Sequence, residues 1–509
     1  MSGLNEPKAG STASRAQDFG ARDAVRSGQF FGAGHRDQAA RLAAFIAAPL
    51  RDSADLWFGA DGAVAPVLRR ALIERDIVWI DTLISAQIDA ILHHPRLLRL
   101  EGSWRGLRWL IGQTDPNQRL KLKILPVSWA EICRDLERAP EFDQSNLFRR
   151  VYEDEFGIAG GEPFGLLVLD YEVRHRPGPG APQDDIAALN NLGAVAAAAF
   201  APMVLGASPG LFGVDHFAEL SGVADPVAPF NEISFQRWRS LRTREDTRFL
   251  ALALPRLRAR LGWRERVPAE RGWRYHEVIE STAEMVWFNA GYAVAAMVGR
   301  SMTHYGWPAD MRGYDTDRLG GGLIDYTLEG EFSTDPSRGL DRFALEIALT
   351  DQQERSLVEA GLMPLSTIHF GGDVLLGSAR SIQSAKRYSG EGADANARIS
   401  AQFNTIVCVS RFAHFVKVMG REMTGAFRRA EEIEDRLMQW LTRFVNSNLD
   451  VSPPVRAKYP LLAASVSVRE KPGQPGVFGC TIQLQPQYQI DDISASFRLM
   501  TELATPGAR

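Results

Sequence analysis

The sequence predicts a mixed α/β (α+β) chain of several domains, and two observations carry that prediction. Segments with a two-residue apolar period alternate along the chain with segments of helical period, as when strands and helices interleave in one fold. The length, 509 residues of which 45% are hydrophobic, exceeds what a single core supports; at about 150 residues per domain the prior is roughly three units.

The elements follow in order. Residues 1–62 read as a flexible N-terminal arm, because Met1 to Gln29 mixes Gly, Ser, Ala and alternating charges without apolar periodicity. Within the arm, Asp37 to Leu50 has the spacing of a short amphipathic helix. A large α/β body spans 63–385. It opens with Ile73, Ile77, Ile80, Ile84, Ile88 and Ile91, whose spacings of three and four stack them along one helical stripe. His93-His94-Pro95 ends that helix, since proline cannot continue the ladder. Leu120, Leu122 and Ile124 alternate with Lys121 and Lys123 as a strand with one wet face. Phe164 to Leu169 is an apolar run closed by Asp170, the pattern of a buried strand. Ile186 to Phe200 is Ala-rich and helical. Phe249 to Leu261 and Ala283 to His304 read as buried elements. Phe343, Leu345, Ile347 and Leu349 alternate as a strand, Gln352 to Ala360 is helical, and Leu365 to Phe370 is extended.

Tyr388 to Ala395 reads as a linker into a C-terminal α+β domain, 396–503, with a short tail at 504–509. Ile399, Phe403 and Ile406, then Phe412, Phe415, Met419, Met423 and Phe427, mark a long helix or helix pair. A further helix carries Ile433, Leu437, Trp440, Leu441 and Phe444, opened by acidic residues that suit the helix dipole. Three strand segments close the chain: Ala464, Val466 and Val468 alternate, Val477 to Leu484 returns after a Pro/Gly turn, and Ile493, Ala495, Phe497 and Leu499 alternate again.

Composition excludes several function classes. Lys+Arg is 58 against Asp+Glu 62, a net charge of −4, without the basic excess of a nucleic-acid binder. Cys133, Cys408 and Cys480 are too few and too far apart for a disulfide framework or a thiolate zinc site. No apolar leader opens the chain, and Asn190 to Val214 is too rich in Ala, Gly and Pro for a membrane span. A cytoplasmic protein, not inserted in membranes, is the expectation.

No catalytic, metal or cofactor residues emerge. Gly206-Ala207-Ser208-Pro209-Gly210 matches the G-x-S-x-G elbow of serine hydrolases, with Asp215 and His216 behind it. Pro209, however, lacks the N–H that the oxyanion needs and biases Ser208 away from the strained turn. The glycine clusters at 320–322 and 371–372 lack the Lys-Ser/Thr of a phosphate loop. The histidines have no ligand spacing, and adjacent side chains such as His93 and His94 point about 100° apart on a helix. Glu245-Asp246, among Arg242, Arg244 and Arg248, reads as a local ion-pair network.

Longer strings are more specific. Leu100 to Leu110 (LEGSWRGLRWL), Glu162 to Tyr171 (EPFGLLVLDY), Trp238 to Arg256 and Ser410 to Met419 (SRFAHFVKVM) stand in order with Pro472 to Gln489 and Ile493 to Leu503. Together they resemble the large subunit of the contractile sheath of bacterial type VI secretion systems, from about Asp76 to Leu503. Trp104, Arg105, Gly106, Glu245, Asp246 and Arg248 stand where that family carries the same residues.

The resemblance implies a tail-sheath-like fold and a structural role without catalysis. It implies a small sheath subunit as partner, helical self-assembly around an inner tube on a baseplate, and contraction that expels the tube. It also implies dismantling by an AAA+ unfoldase, although the likeness does not extend to the arm before about Val64. A C-terminal sheet completed by strands from neighbouring protomers is implied too. That fits a chain whose own terminal sheet is small, and assigns inter-subunit strand exchange to Val466, Val468, Ile482, Leu484, Ile493, Ala495, Phe497 and Leu499. A related contractile injection device or phage-like tail, and a hydrolase built on Ser208, are the alternatives.

Overall fold

The computed structural model describes residues 36–49, 52, 57, 66–114, 120–158, 160–178, 180–263, 273, 275–313, 320–326, 344–368, 373–386, 388–424, 429–448, 451–470, 477–487 and 497–503. The helices are α1 (Arg36–Ala47), α2 (Pro66–Leu92), α3 (Pro95–Gly112), α4 (Trp129–Arg138), α5 (Asp185–Ala199) and α6 (Gln236–Arg242). Then come α7 (Gly291–Tyr305), α8 (Asp351–Glu359), α9 (Glu391–Ser400), α10 (Phe403–Thr424), α11 (Ala430–Thr442) and α12 (Pro453–Lys458). The strands are β1 (Leu167–Val173), β2 (Met203–Ala207), β3 (Leu250–Leu254), β4 (Leu257–Arg258), β5 (Trp287–Phe288) and β6 (Leu323–Ile324). They continue with β7 (Met363–Pro364), β8 (Ser366–Thr367), β9 (Val374–Leu375), β10 (Leu461–Glu470), β11 (Phe478–Pro486) and β12 (Phe497–Leu503). Two compact units result, one of residues 1–92 with 262–278, the other of 93–261 with 279–509.

In the first unit α2 is the main described element. Trp57 donates to Asp76 at 3.2 Å, Trp273 to Ser85 at 3.2 Å, and Tyr275 to Asp89 at 2.5 Å. Its isoleucine stripe behaves differently from a core stripe: Ile73, Ile77, Ile84 and Ile91 are exposed.

The second unit is organised by a parallel sheet in the order β1-β2-β3-β7. Both faces are covered, and the strand period separates them cleanly. Met203, Leu205, Leu250, Leu252 and Leu254 enter one core with Leu189, Leu192 and Trp238. Val204, Ala251 and Ala253 enter the other, with Ala293, Val294 and Met297 of α7. Small residues on this second face let α7 approach: a β-carbon on Gly206 would stand 2.8 Å from the Asn289 side-chain nitrogen. Asp184 caps α5, accepting from Ala187 N–H at 3.2 Å, and Phe200 ends the helix in the left-handed region (φ 48°).

The C-terminal part is an antiparallel β10-β11-β12 sheet backed by α10 and α11. Phe412, Ile433, Leu437, Leu441, Ile482 and Leu484 form its core, and Trp307 stacks on Phe412 at 4.2 Å. A π-helical segment, Arg149–Gly157, lies against α10. Lys417 donates to the Tyr152 hydroxyl at 2.6 Å, and Arg421 to the Phe156 and Ile158 carbonyls at 2.8 and 2.7 Å.

Four elements differ from the sequence reading. Leu120 to Ile124 is not in a strand; no described segment pairs with it, and Lys121 and Lys123 are tied instead to Glu162 and Glu155. The alternating segment around Leu345 makes one isolated bridge to Leu257, with Phe343 outside the described residues. The buried strand expected to stop at Asp170 runs on to Val173. Helix α9 begins at Glu391, inside the expected linker.

Candidate assembly interface

Six of the residues assigned to strand exchange, Val466, Val468, Ile482, Leu484, Phe497 and Leu499, lie on one sheet. Val466 stands opposite Ile482, which stands opposite Leu499; Leu484 stands between Ala464 and Phe497. Val468 faces Cys480. Ile493 and Ala495 lie outside the described residues. Val468, Ile482 and Leu484 are buried against α10 and α11, and Val466 is partly buried there. These side chains therefore belong to the domain's own core, and what the sheet offers outward is backbone.

The outer edge of β10 shows that backbone directly. Leu461 is bonded on this side, donating to Phe444 O at 3.1 Å and accepting from Asn446 N–H at 2.8 Å. Beyond the bulge at Leu461/Ala463, the Val468 N–H turns away from β11 and donates to the Glu434 carboxylate of α11 at 2.8 Å. Alternation in an antiparallel ladder puts the amides of Val466 and Ala464 on the same edge. Among the described residues no strand pairs with this edge. A row of outward amides is a template for another strand.

The second set of residues does different work. Gly106 belongs to the buried face of α3 with Leu98, Gly102 and Leu110, four residues apart. A β-carbon on Gly106 would stand 2.8 Å from the Tyr292 ring, and one on Gly102 would overlap the Trp287 carbonyl of β5. Glycine is thus required for α3 to lie on α7 and β5. Glu101 bonds Arg105 at 2.6 Å and Arg260 at 2.7 Å. Burial alone would raise its carboxyl, but the two guanidinium groups outweigh it and hold the group below its ordinary range. Trp104 projects the other way and is 62% exposed.

Glu245, Asp246 and Arg248 form a surface turn leading into β3. Arg248 bonds the Glu245 carbonyl at 2.9 Å, Lys386 lies 3.6 Å from the Glu245 carboxylate, and Arg244 lies 3.8 Å from Asp246. The buried ionic cluster is elsewhere. Arg256 makes a two-point contact with Glu346 at 2.7 and 2.8 Å, with Glu172 3.6 Å away. Burial pushes the Glu172 carboxyl up, partly offset by Arg256.

Ser208 lacks a nucleophile's geometry. It is buried and extended (φ −81°, ψ 148°), and its hydroxyl accepts from Gly210 N–H at 3.2 Å. His216 and Asp215 instead direct their amides to Glu219. His94 caps α3, accepting from Arg96 N–H at 3.3 Å. Among the described residues no group of three or more His, Cys, Asp or Glu is placed to hold a metal, and no helix is long and apolar enough to cross a membrane.

Comparison with known proteins agrees with this architecture. The VipB (EvpB) tail sheath N-terminal domain matches residues 74–383, and the VipB tail sheath gpW/gp25-like domain matches 392–503. The type VI secretion system sheath protein TssC1 of Pseudomonas aeruginosa PAO1 is 32% identical over 437 residues, covering 85% of this chain and 86% of that protein. Neither the phage-like tail nor the hydrolase is favoured by these matches. With matches covering both the body and the β10–β12 region, the chain belongs to the family of structural large subunits of the type VI secretion contractile sheath.

Proposed function

We propose that this chain polymerises with a small companion subunit into the wall of a contractile sheath around an inner tube. Strands exchanged at the C-terminal sheet would link neighbouring protomers, and contraction would drive the tube outward. In this reading the protein works in the bacterial cytoplasm, stands on a baseplate, performs no catalysis and is recycled by an AAA+ unfoldase. It binds no nucleic acid and does not enter a membrane. The arm 1–62, body 63–385, core domain 396–503 and tail 504–509 are its working parts.

The observation that supports the reading most is the outer edge of β10, where the amides of Ala464, Val466 and Val468 have no strand beside them among the described residues. Contacts that do not close on themselves generate filaments. The test is co-expression with the companion chain, followed by electron microscopy. Striated hollow tubes are expected; compact single particles under every ionic condition would overturn the proposal. Val466→Pro sharpens the test. It removes an amide that points away from β11, so the β10–β11 ladder survives while an added strand loses a donor. A folded chain that no longer makes tubes is the expected result.

A further inference from the structure

Helix α3 has two unlike faces. Leu98, Gly102, Gly106 and Leu110 are buried on the protein's own body. Turned away from them, Leu100, Trp104 and Ile111 are 55%, 62% and 51% exposed. On a helix of 100° per residue these three lie within about 40° of one another, a continuous apolar ridge about 16 Å long. Tryptophan is the side chain most often found at the energetic centre of an interface. The ridge is also rigid, since Gly106 seats the helix against Tyr292 and Glu101 ties it to Arg105 and Arg260. A partner binding it would order little that is not already ordered.

The charges select the partner. The exposed charged residues of α3 are Arg96, Arg99 and Arg108, whereas its single acid, Glu101, is engaged with the two arginines. A second copy laid face to face would oppose like charges. The chain's own residues 1–29 carry Lys8, Arg15, Arg22 and Arg26 against Glu6, Asp18 and Asp23, a net charge of +1, and have no apolar period to match the ridge. The face calls for an apolar helix flanked by carboxylates.

We propose that the outer face of α3, Leu100, Trp104 and Ile111 between Arg96 and Arg108, seats an amphipathic helix with acidic flanks on the companion sheath subunit. This rests on the two-component reading above. The test places the photo-crosslinker p-benzoylphenylalanine at position 104 of the full chain, co-expressed with the companion. An adduct with the companion is expected, mapping to a helix with Asp or Glu within one turn of the crosslinked residue. An adduct between two copies of this chain, an adduct within one chain, or tubes that form with no adduct would each overturn the assignment while leaving the sheath reading intact. Failure of the unmodified pair to form any complex would overturn both. As a second measurement, Trp104→Ala and Arg108→Glu should each weaken binding of the companion at least about tenfold with an unchanged circular dichroism spectrum. Undiminished binding by both variants would refute the proposal.

Discussion

The seating of α3 makes a prediction that three glycines test together. In Gly106→Ala the new carbon would stand 2.8 and 2.9 Å from Cδ2 and Cε2 of Tyr292 and 3.0 Å from Cβ of Phe288. Carbon atoms rest at about 3.5–4.0 Å, so helix or ring must retreat by roughly 0.7 Å. The ring is not free to do so: it is buried, and its hydroxyl bonds Asp170 at 3.1 Å. Overpacking of this kind costs about 1–3 kcal/mol, while alanine regains about 1 kcal/mol over glycine within a helix. The net loss is then about 0–2 kcal/mol. Gly102→Ala meets a backbone carbonyl of β5 instead of a side chain, and a strand cannot yield locally, so about 3 kcal/mol or more is expected. Gly112, at the end of the same helix, has nothing within 4 Å of a new β-carbon, and its alanine variant should match the parent or gain up to about 0.5 kcal/mol. Urea unfolding of the purified chain reads the order as shifts in midpoint at constant slope. If Gly102→Ala is as stable as Gly112→Ala, α3 does not lie against β5 and α7 as described.

Three further outcomes follow from other sites. His414 is buried, its Nε2 is 3.1 Å from Ala199 O, and burial, with Arg411 and Lys417 adding to it, lowers its pKa from 6.5 to about 4. A depressed folded-state value means the stability is whole above pH 6.5 and is lost as pH falls toward 4, by about 3 kcal/mol in full. Comparing urea midpoints at pH 7.5 and 4.5 should show this loss in the parent and a smaller one in His414→Asn; equal losses would remove His414 as the cause. Glu346→Gln should cost about 2–3 kcal/mol in the same assay, because it removes the near charge and one of two acceptors and leaves the more distant Glu172 as the carboxylate facing Arg256, and a loss under about 0.5 kcal/mol would show the pair to be idle. Glu434→Ala frees the Val468 amide at an edge that water reaches, so about 1 kcal/mol or less is expected, with faster hydrogen exchange at Val468 by NMR; unchanged exchange there would refute the contact.

What the sequence made legible depended on whether an element's pattern arises within its own segment. α2, α5 and α11 carry their period and their stops in the residues themselves, and β10 beyond its bulge and β11 carry an alternation, so these are readable. A strand also needs a neighbour, which alternation cannot supply. Leu120 to Ile124 alternates yet finds no partner among the described residues, and the segment around Leu345 finds only a bridge. The apolar run ends at Asp170, but Tyr292 donates to that carboxylate, Arg256 lies 3.6 Å from the next one at Glu172, and the strand continues. The isoleucines of α2 announced a stripe without saying what covers it. Trp104 and Gly106 are named from likeness to a family and not from period. The buried face of α3 had a readable signal nonetheless, two glycines four apart between Leu98 and Leu110. The contact of Glu434 with the Val468 amide had none, being a side chain meeting a backbone 34 residues away.

Under the proposed function, the division between closed cores and open surfaces has a mechanical consequence. Each subunit must keep its fold while its contacts change, so the work of contraction has to come from surfaces that remain available after folding. Three such surfaces are present: the exposed isoleucines of α2, the ridge of α3 and the edge of β10. Covering an additional 100 Å² of apolar surface per subunit in the contracted state would yield about 2.5 kcal/mol, and the sum over a long polymer is large although each step is small. A subunit can exploit that sum only if the interior of each unit does not yield first. Variants should therefore divide into two classes. Gly102→Ala and Glu346→Gln weaken the isolated chain, and sheath assembly falls in proportion to the folded fraction. Val466→Pro and Trp104→Ala leave the isolated chain folded and act only when subunits meet. A variant of the second class that unfolded the monomer would show that the surface in question belongs to the core, and would remove it from the set that drives contraction.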